Sequence, residues 1–199
     1  MAEIDEWAGP RGRLWAGEVE ALDRQMAEAG RIAMAALAPV PGERILEIGC
    51  GAGGLSAEIA RAVGEAGAVT GVDVSPDLLA VARARAESAR FLEADATTAD
   101  FGPEPFDALF SRFGCMFFAE PDRAFAHIAN HMRPGARAVL VVWAKAERNP
   151  WAAVPMAAAS EVLGPPEARD PATPGPFAWA DPAAYRPVLE AAGLPVEAE

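Results

Sequence analysis

A short glycine-rich segment, Ile45-Leu46-Glu47-Ile48-Gly49-Cys50-Gly51-Ala52-Gly53, carries the strongest chemical signal in the sequence. An apolar strand runs directly into the glycines, and a helical pattern follows them. Glycine lets the backbone turn sharply and approach a ligand, because it has no Cβ atom. In open α/β sheets, ligands bind beyond the carboxyl ends of the strands, where this turn is placed. The pattern therefore predicts a small-molecule site on the turn.

Two cofactors suit such a turn. The glycine spacing from Gly49 also satisfies the GxGxxG of dinucleotide-binding folds, and Asp73 follows at about the 20-residue separation that those folds require. Glu47 opposes this interpretation, because a carboxylate beside the turn is unfavourable for a pyrophosphate. S-adenosylmethionine (SAM) has no phosphate, and its sulfonium and ammonium groups tolerate or favour a nearby carboxylate. Together with Asp95, at the end of the third predicted strand, these acids favour SAM over NAD.

Four motifs in the usual order resemble those of the class I SAM-dependent methyltransferases. ILEIGCGAG is similar to motif I of that family, GVDVS to its acidic-loop motif and FLEADAT to its adenine motif. FDALFSRFGCMFF and HMRPGARAVLVVW resemble its later strands. The resemblance runs from Gly42 to Trp143 and identifies a methyltransferase type 11/25-like domain. WAGPRGRLW, at residues 7–15, also resembles the WNGPxGxxW segment of a subgroup related to the quinone-biosynthesis enzymes.

The resemblance implies roles for the residues of the turn and of the second strand. Gly49, Gly51 and Gly53 would shape the loop under the methionine and ribose portions of SAM. Glu47 would orient that loop and reach the ammonium group through water or backbone. Asp73 would accept hydrogen bonds from both ribose hydroxyls, as a carboxylate with two acceptor oxygens can.

Further roles are implied at the ends of the next strands. Val74 would pack on the adenine, Asp95 would accept from the adenine amino group, and the Ala96 amide would donate to a ring nitrogen. Ser111 and Arg112 would face the transferred methyl group. Two alternatives stay open: Asp95 also suits a turn, and Arg112 could pair with a surface carboxylate. No catalytic residue is identified.

The sequence departs from the family at three places. Ala8 replaces the asparagine of the opening segment, and Ala136 replaces the second glycine usual after Pro134. The family continues past the last helix with two more strands, whereas this chain stops at about the start of the first of them. We therefore expect the C-terminal β-hairpin to be missing. Residues 138–143 would then form an open edge without a full-length partner strand, which predicts aggregation or a homodimer.

The elements that position these residues alternate between strands and helices. Strands are predicted at 44–48, 69–74, 90–93, 107–110 and 138–143, which gives an α/β fold with a doubly wound, mostly parallel, Rossmann-like sheet. A helix is predicted to open at Pro121, to carry Met132, and to end before Pro134. The chain divides into an N-terminal helical cap (1–41), a SAM-binding α/β core (42–145), and a truncated proline-rich lid with a last helix (146–199). Residues 164–176 are predicted to be an irregular loop.

Composition disfavours several classes of function. The net charge of −12 disfavours a nucleic-acid partner. No apolar run reaches the roughly 18 residues of a membrane span, and the acidic N-terminus lacks a signal core, so we expect a cytoplasmic protein. Cys50 and Cys115 are expected to be buried reduced thiols. His127 and His131 have a metal-compatible spacing but no third ligand, so no metal is expected.

The sequence thus predicts a methyltransferase that transfers the methyl group of SAM to a small-molecule acceptor. Methyl transfer depends above all on alignment, so catalysis needs no dedicated base. Two alternatives are a SAM-binding or interaction module without turnover and, less favoured, an NAD-dependent oxidoreductase. Three tryptophans either line a substrate pocket or anchor the proline-rich lid: Trp143, Trp151 and Trp179.

Overall fold

The computed structural model describes residues 3–165 and 173–197, and a five-stranded sheet forms its centre. The strands are β1 (Arg44–Ile48), β2 (Ala68–Asp73), β3 (Arg90–Glu93), β4 (Phe106–Arg112) and β5 (Met132–Val141). They lie in the order β3-β2-β1-β4-β5, and every neighbouring pair is parallel. The predicted five-stranded, doubly wound parallel sheet is therefore confirmed.

Eight α-helices flank the sheet within the described residues. They are α1 (Glu3–Ala8), α2 (Pro10–Gly17), α3 (Val19–Leu37), α4 (Gly54–Val63), α5 (Pro76–Arg85), α6 (Pro121–Ala129), α7 (Pro150–Leu163) and α8 (Pro182–Ala191). Local sequence explains several ends. Ser75 caps α5 by accepting a hydrogen bond from the Leu78 amide, and Pro76 follows as the first helical residue. Gly64, with φ 66°, ends α4.

The core has two apolar clusters, one on each face of the sheet. Leu46 of β1 belongs to the first cluster, with Phe106, Phe125 and Ile128, and its neighbour Ile45 belongs to the second. The second cluster joins β1, β2 and β4 to α3 and α4. Because successive side chains of a strand point to opposite faces, a strand covered on both sides is apolar throughout. Because the strands are parallel, the carboxyl ends of β1, β2 and β4 lie at the same end of the sheet, and the predicted ligand residues lie there.

The boundary between α6 and β5 differs from the prediction. The helix ends at Ala129, and Met132 pairs with Phe106 as the first residue of β5. Pro134 does not end a helix but lies in a bulge, because the register shifts so that Ala108 pairs with Arg137. Gly135 takes φ 79° within it. A proline lacks the N–H that a regular strand would donate, so a bulge tolerates it well.

Two other segments also differ from the sequence-based expectations. The N-terminal helical segment consists of three helices, with breaks at Gly9 and Glu18. The proline-rich region contains α7, which the prolines obscure in the sequence: Pro150 opens the helix, and Pro155 lies inside it. Pro150 removes no helical hydrogen bond, because the first four amides of a helix have no helical partner, whereas Pro155 removes one. Residues 166–172 of the predicted loop lie outside the described residues.

Strand β5 forms one edge of the sheet, with β4 as its neighbour. Within the described part of the chain, residues 194–197 form no strand, so the predicted open edge is confirmed there. Residues 198 and 199 lie outside that part. Across the described residues, no helix combines the length and the apolar character that crossing a membrane requires.

Candidate functional site

The turn after β1 depends on glycine for two different reasons. Gly49, Gly51 and Gly53 all have positive φ angles, of 68°, 53° and 72°. A Cβ atom on Gly49 would lie 2.7 Å from the Cα atom of Gly114, and one on Gly53 would lie 2.8 Å from the Cβ atom of Ala82. At Gly51, by contrast, a Cβ atom would meet nothing within 4 Å. Gly49 and Gly53 therefore allow close packing, while Gly51 faces open space at the end of the sheet.

Asp73, at the end of β2, is bound to the same turn. Its Oδ2 accepts a hydrogen bond of 2.8 Å from the Gly51 amide, and its Oδ1 accepts one of 2.9 Å from the Ser75 amide. Burial raises the pKa of this carboxyl, and hydrogen bonds from the Ser75, Gly51 and Val74 amides act in the opposite direction. The two oxygens of a carboxylate have about four lone pairs between them, so capacity for one further donor remains beyond these three amides.

Glu47 lies inside the molecule rather than on the surface of the turn. It is 3% exposed, and its Oε2 accepts a short hydrogen bond from the Ser56 hydroxyl on α4. Burial raises the pKa of Glu47 to about 7, against the lowering effects of the Ser56 hydrogen bond and of the Arg112 charge. The predicted role of orienting the turn fits this geometry, because Glu47 connects β1 to the first turn of α4.

The next predicted ligand residues, Val74, Asp95 and Ala96, follow the ends of β2 and β3. Val74 is half-buried, and Ala96 is buried within the first core cluster. Asp95 is half-buried, and its Oδ1 accepts a hydrogen bond of 2.9 Å from the Thr97 amide. One carboxylate oxygen of Asp95 therefore stabilises a turn, as the alternative interpretation predicts.

Ser111 differs from its expected position. We expected its side chain to face the transferred methyl group, but Ser111 is 0% exposed. Its hydroxyl donates to the Ile48 carbonyl at 2.9 Å and accepts from the Cys115 amide at 3.2 Å. These bonds hold the ends of β1 and β4 together, because the hydroxyl satisfies backbone groups that the sheet leaves unpaired. Ser111 thus stabilises the glycine turn through backbone groups at the ends of β1 and β4.

Arg112 points to the opposite face of β4, toward α3 and α4. Its Nη1 donates to the Met26 carbonyl at 3.3 Å, and burial lowers the pKa of its guanidinium against the effect of the Glu47 charge. The side chain lines a cleft of about 510 Å³ that also includes Asp23 and Gly54. The structure therefore brings Arg112 close to the turn, but on the side of α3.

Three residues that the sequence analysis did not single out complete the site. Ser56 holds Glu47, and its position in the first turn of the helix after the glycines is the signal that could have shown it. Gly114 packs against Gly49 so closely that a Cβ atom there would lie 2.7 Å from the Ile48 carbonyl oxygen. Phe113, with φ 62°, stacks on Trp143 with ring centroids 4.0 Å apart. Only the tertiary contacts reveal these last two.

The remaining candidates, which are tryptophans, cysteines and histidines, pack or form hydrogen bonds inside the protein. Trp179 is buried and stacks on Phe125, which fits the anchor alternative, while Trp151 stacks on Phe177 at 5.6 Å. Both cysteines are buried, and burial raises the pKa of Cys115 to about 12 and that of Cys50 well above its usual value. The two histidines each contact a backbone carbonyl, and the described residues contain no group of three metal-ligating side chains.

Comparisons with known proteins agree with this geometry. Residues 45–135 match the family model of a methyltransferase domain. The chain is 31% identical over 115 residues to the ubiquinone/menaquinone biosynthesis C-methyltransferase UbiE of Teredinibacter turnerae, and the match covers 55% of this chain and 46% of that protein. It is 38% identical over 104 residues to the demethylmenaquinone methyltransferase of Thermus thermophilus, covering 50% of this chain and 46% of the relative. The chain thus spans less than half the length of these curated relatives.

A solved structure shows the same likeness. The TehB-like SAM-dependent methyltransferase of Corynebacterium glutamicum is 26% identical, with a TM-score of 0.51, over 63% of this chain and 71% of that one. The glycine turn and most of the sheet that carries it lie within residues 45–135, which match the family model. Residues 45–135 therefore match a methyltransferase domain, and the chain is similar to SAM-dependent methyltransferases.

Proposed function

We propose that this protein binds SAM on the turn after β1 and transfers its methyl group to a small-molecule acceptor. The observation that carries the proposal is the carboxylate of Asp73, which is bound to the Gly51 amide beside the open space of the turn and keeps acceptor capacity beyond its backbone hydrogen bonds. A ribose hydroxyl of SAM supplies a donor that this carboxylate can accept.

The residues of the turn fit the cofactor. Gly51 faces open space, so its backbone can lie against the ligand without a side chain in between. We assign Gly49, Gly51 and Gly53 to the methionine and ribose portions, and Glu47 to orienting the turn and, through water or backbone, to the ammonium group. Because Glu47 is buried, its contribution passes through the backbone that it positions.

The remaining assignments follow the ends of β2, β3 and β4. We assign Val74 to packing on the adenine, the open oxygen of Asp95 to the adenine amino group, and the Ala96 amide to a ring nitrogen. Arg112 places a positive charge beside the turn, at the end of β4. Ser111 contributes by fixing the ends of β1 and β4 rather than by contact with the methyl group.

The chemistry of the bound cofactor is an in-line displacement at a sulfonium carbon, which SAM supplies. The protein's part is alignment and exclusion of water, since well-oriented reactants gain roughly 7–11 kcal/mol from proximity alone. The acceptor is proposed to be a small molecule because the relatives above are named as a ubiquinone/menaquinone biosynthesis C-methyltransferase and a demethylmenaquinone methyltransferase. A proton released by the acceptor could pass to solvent, so no dedicated base is required.

Calorimetric titration tests the proposal directly. We expect SAM and S-adenosylhomocysteine to bind in the micromolar range and NAD to give no detectable heat. Tighter binding of NAD than of SAM would contradict it. Turnover with any acceptor would then separate an enzyme from a SAM-binding module.

We further propose that the protein self-associates through the open edge of β5. The Val141 carbonyl accepts from the Phe113 amide at 2.8 Å, so Val139 and Val141 direct their backbone groups toward β4. By alternation, Ala138 and Leu140 direct theirs outward. Neither carries a charge that would block pairing with another chain.

A further inference from the structure

The N-terminal helices approach the carboxyl end of β2. Gly12 of α2 is buried, and a Cβ atom there would overlap both the Ser75 hydroxyl oxygen and the Trp7 carbonyl oxygen. Ser75 follows Asp73 by two residues and donates its amide to that carboxylate. The segment from Trp7 to Gly12 therefore lies directly against the loop that carries the proposed ribose-binding residue.

The same segment also reaches the region beyond β4. The Trp7 ring packs edge to face on Phe117, with centroids 5.4 Å apart, and Phe117 belongs to the short 3₁₀ turn Cys115–Phe117. In the sheet order, β1 lies between β2 and β4. A segment that contacts the ends of both outer strands must therefore cross the end of β1, where the glycine turn lies.

The indole nitrogen of Trp7 is buried and has no hydrogen-bond partner among the described residues. Its ring is held on three sides, by Trp15 at 5.0 Å, by Phe117, and by the Arg11 guanidinium 5.3 Å above the ring. A buried polar group without a partner destabilises the folded protein. An indole N–H can only donate, so what satisfies it must be an acceptor oxygen or ring nitrogen.

We propose that Trp7 is a cofactor-binding residue, whose indole N–H donates a hydrogen bond to an oxygen or ring nitrogen of the adenosyl portion of SAM. The inference rests on the proposed function, because it takes SAM as the ligand of the glycine turn. The adenosyl portion is favoured because the Trp7–Gly12 segment lies against Ser75, beside Asp73. Helices α1 and α2 then form one wall of the cofactor site.

The test follows the indole N–H resonances of ¹⁵N-labelled full-length protein during titration with S-adenosylhomocysteine. The Trp7 resonance is identified by its loss in Trp7→Phe. We expect this resonance to move downfield at saturation, and Trp7→Phe to bind S-adenosylhomocysteine roughly three- to tenfold more weakly, as for one lost hydrogen bond. Trp15→Phe, which keeps an aromatic ring in the same segment, is the matched control and should bind within twofold of wild type.

The outcomes separate this inference from the proposed function. If S-adenosylhomocysteine binds with measurable heat but the Trp7 resonance stays in place, the inference is overturned while the proposed function stands. If it gives neither heat nor any change in the spectrum, both are overturned. If Trp7→Phe fails to fold, the Trp7 resonance is assigned in the wild-type protein through its nuclear Overhauser contacts with the Trp15 and Phe117 rings, so the readout remains decisive.

Discussion

The Oδ2 atom of Asp73 accepts a hydrogen bond of 2.8 Å from the backbone amide of Gly51, across 22 positions of sequence. The contact joins the ends of two neighbouring parallel strands, β2 and β1. It fixes the glycine turn relative to the carboxylate before any ligand arrives. Such preorganisation reduces the conformational entropy that the turn loses when a ligand binds.

Gly51→Val should abolish SAM binding while leaving the fold largely intact. The branched side chain would enter space that is open in the protein and that the ligand is proposed to occupy. Calorimetric titration measures the loss, and circular dichroism checks the fold.

Gly42→Val is the matched control for this substitution. Gly42 also has a positive φ, of 91°, and a Cβ atom there would likewise meet nothing within 4 Å. It precedes β1, at the opposite end of the sheet from the turn. Both variants carry the same kind of backbone strain, so equal SAM binding by the two would refute the assignment of Gly51.

Asp73→Asn should weaken SAM binding by roughly 1–3 kcal/mol, the range for hydrogen bonds to a charged group. The amide keeps one acceptor oxygen, but it turns two donor hydrogens toward groups that themselves donate. Titration of SAM against wild type and variant measures the difference. Asp77→Asn, in the first turn of α5, is the control. If Asp73→Asn binds SAM as tightly as wild type, Asp73 is a turn residue only.

Glu47 should make the protein less stable as the pH rises from about 4.5 to about 7. Its pKa in the folded protein is raised to about 7 by burial, whereas in the unfolded chain it is near 4.5. Between these values the folded state holds a proton that the unfolded state has released, so the free energy of unfolding falls with pH and then levels off. At roughly 1.4 kcal/mol per pH unit, the full effect is about 3 kcal/mol.

Denaturant unfolding of wild type and Glu47→Gln across this pH range tests the prediction. Glutamine keeps an acceptor for the Ser56 hydroxyl but cannot ionise. The stability of wild type relative to the variant should decline between pH 4.5 and 7 and remain constant above about pH 8. The exposed Glu58→Gln is the control. A constant difference from pH 4 to 9 would show that Glu47 titrates normally.

Ala138→Pro should reduce self-association without disturbing the sheet. The backbone amide of Ala138 points away from β4, so a proline there removes only a donor at the open edge. Its side chain is exposed, so no core packing is lost. Light scattering coupled to size exclusion should show a larger wild-type species than variant species at equal concentration. A monomeric wild-type protein would show that the edge does not pair.

The positions of the strands that carry the site could be predicted from sequence because local patterns determine them. β1 and β3 have the predicted limits, since each contains a short apolar segment and is followed by turn residues. The Ser75 cap and the Gly64 stop also act within three or four residues, as cap chemistry does. Likewise, the order of glycines and acids along the chain sufficed to place Asp73 beside the turn.

The sequence by itself therefore determined the fold class, the approximate positions of the strands along the chain and the residues gathered at the carboxyl ends of β1 and β2. Only the tertiary structure decided what depends on contacts between distant segments. Pro134 lies in a bulge because β4 offers Met132 a partner, and the Ser111 hydroxyl is consumed by the Ile48 carbonyl 63 positions away. The crossing of Trp7 over the glycine turn has the same origin. Each of these features depends on a long-range hydrogen bond or packing contact that overrides the local conformational preference. Such a contact leaves no periodic pattern in the sequence.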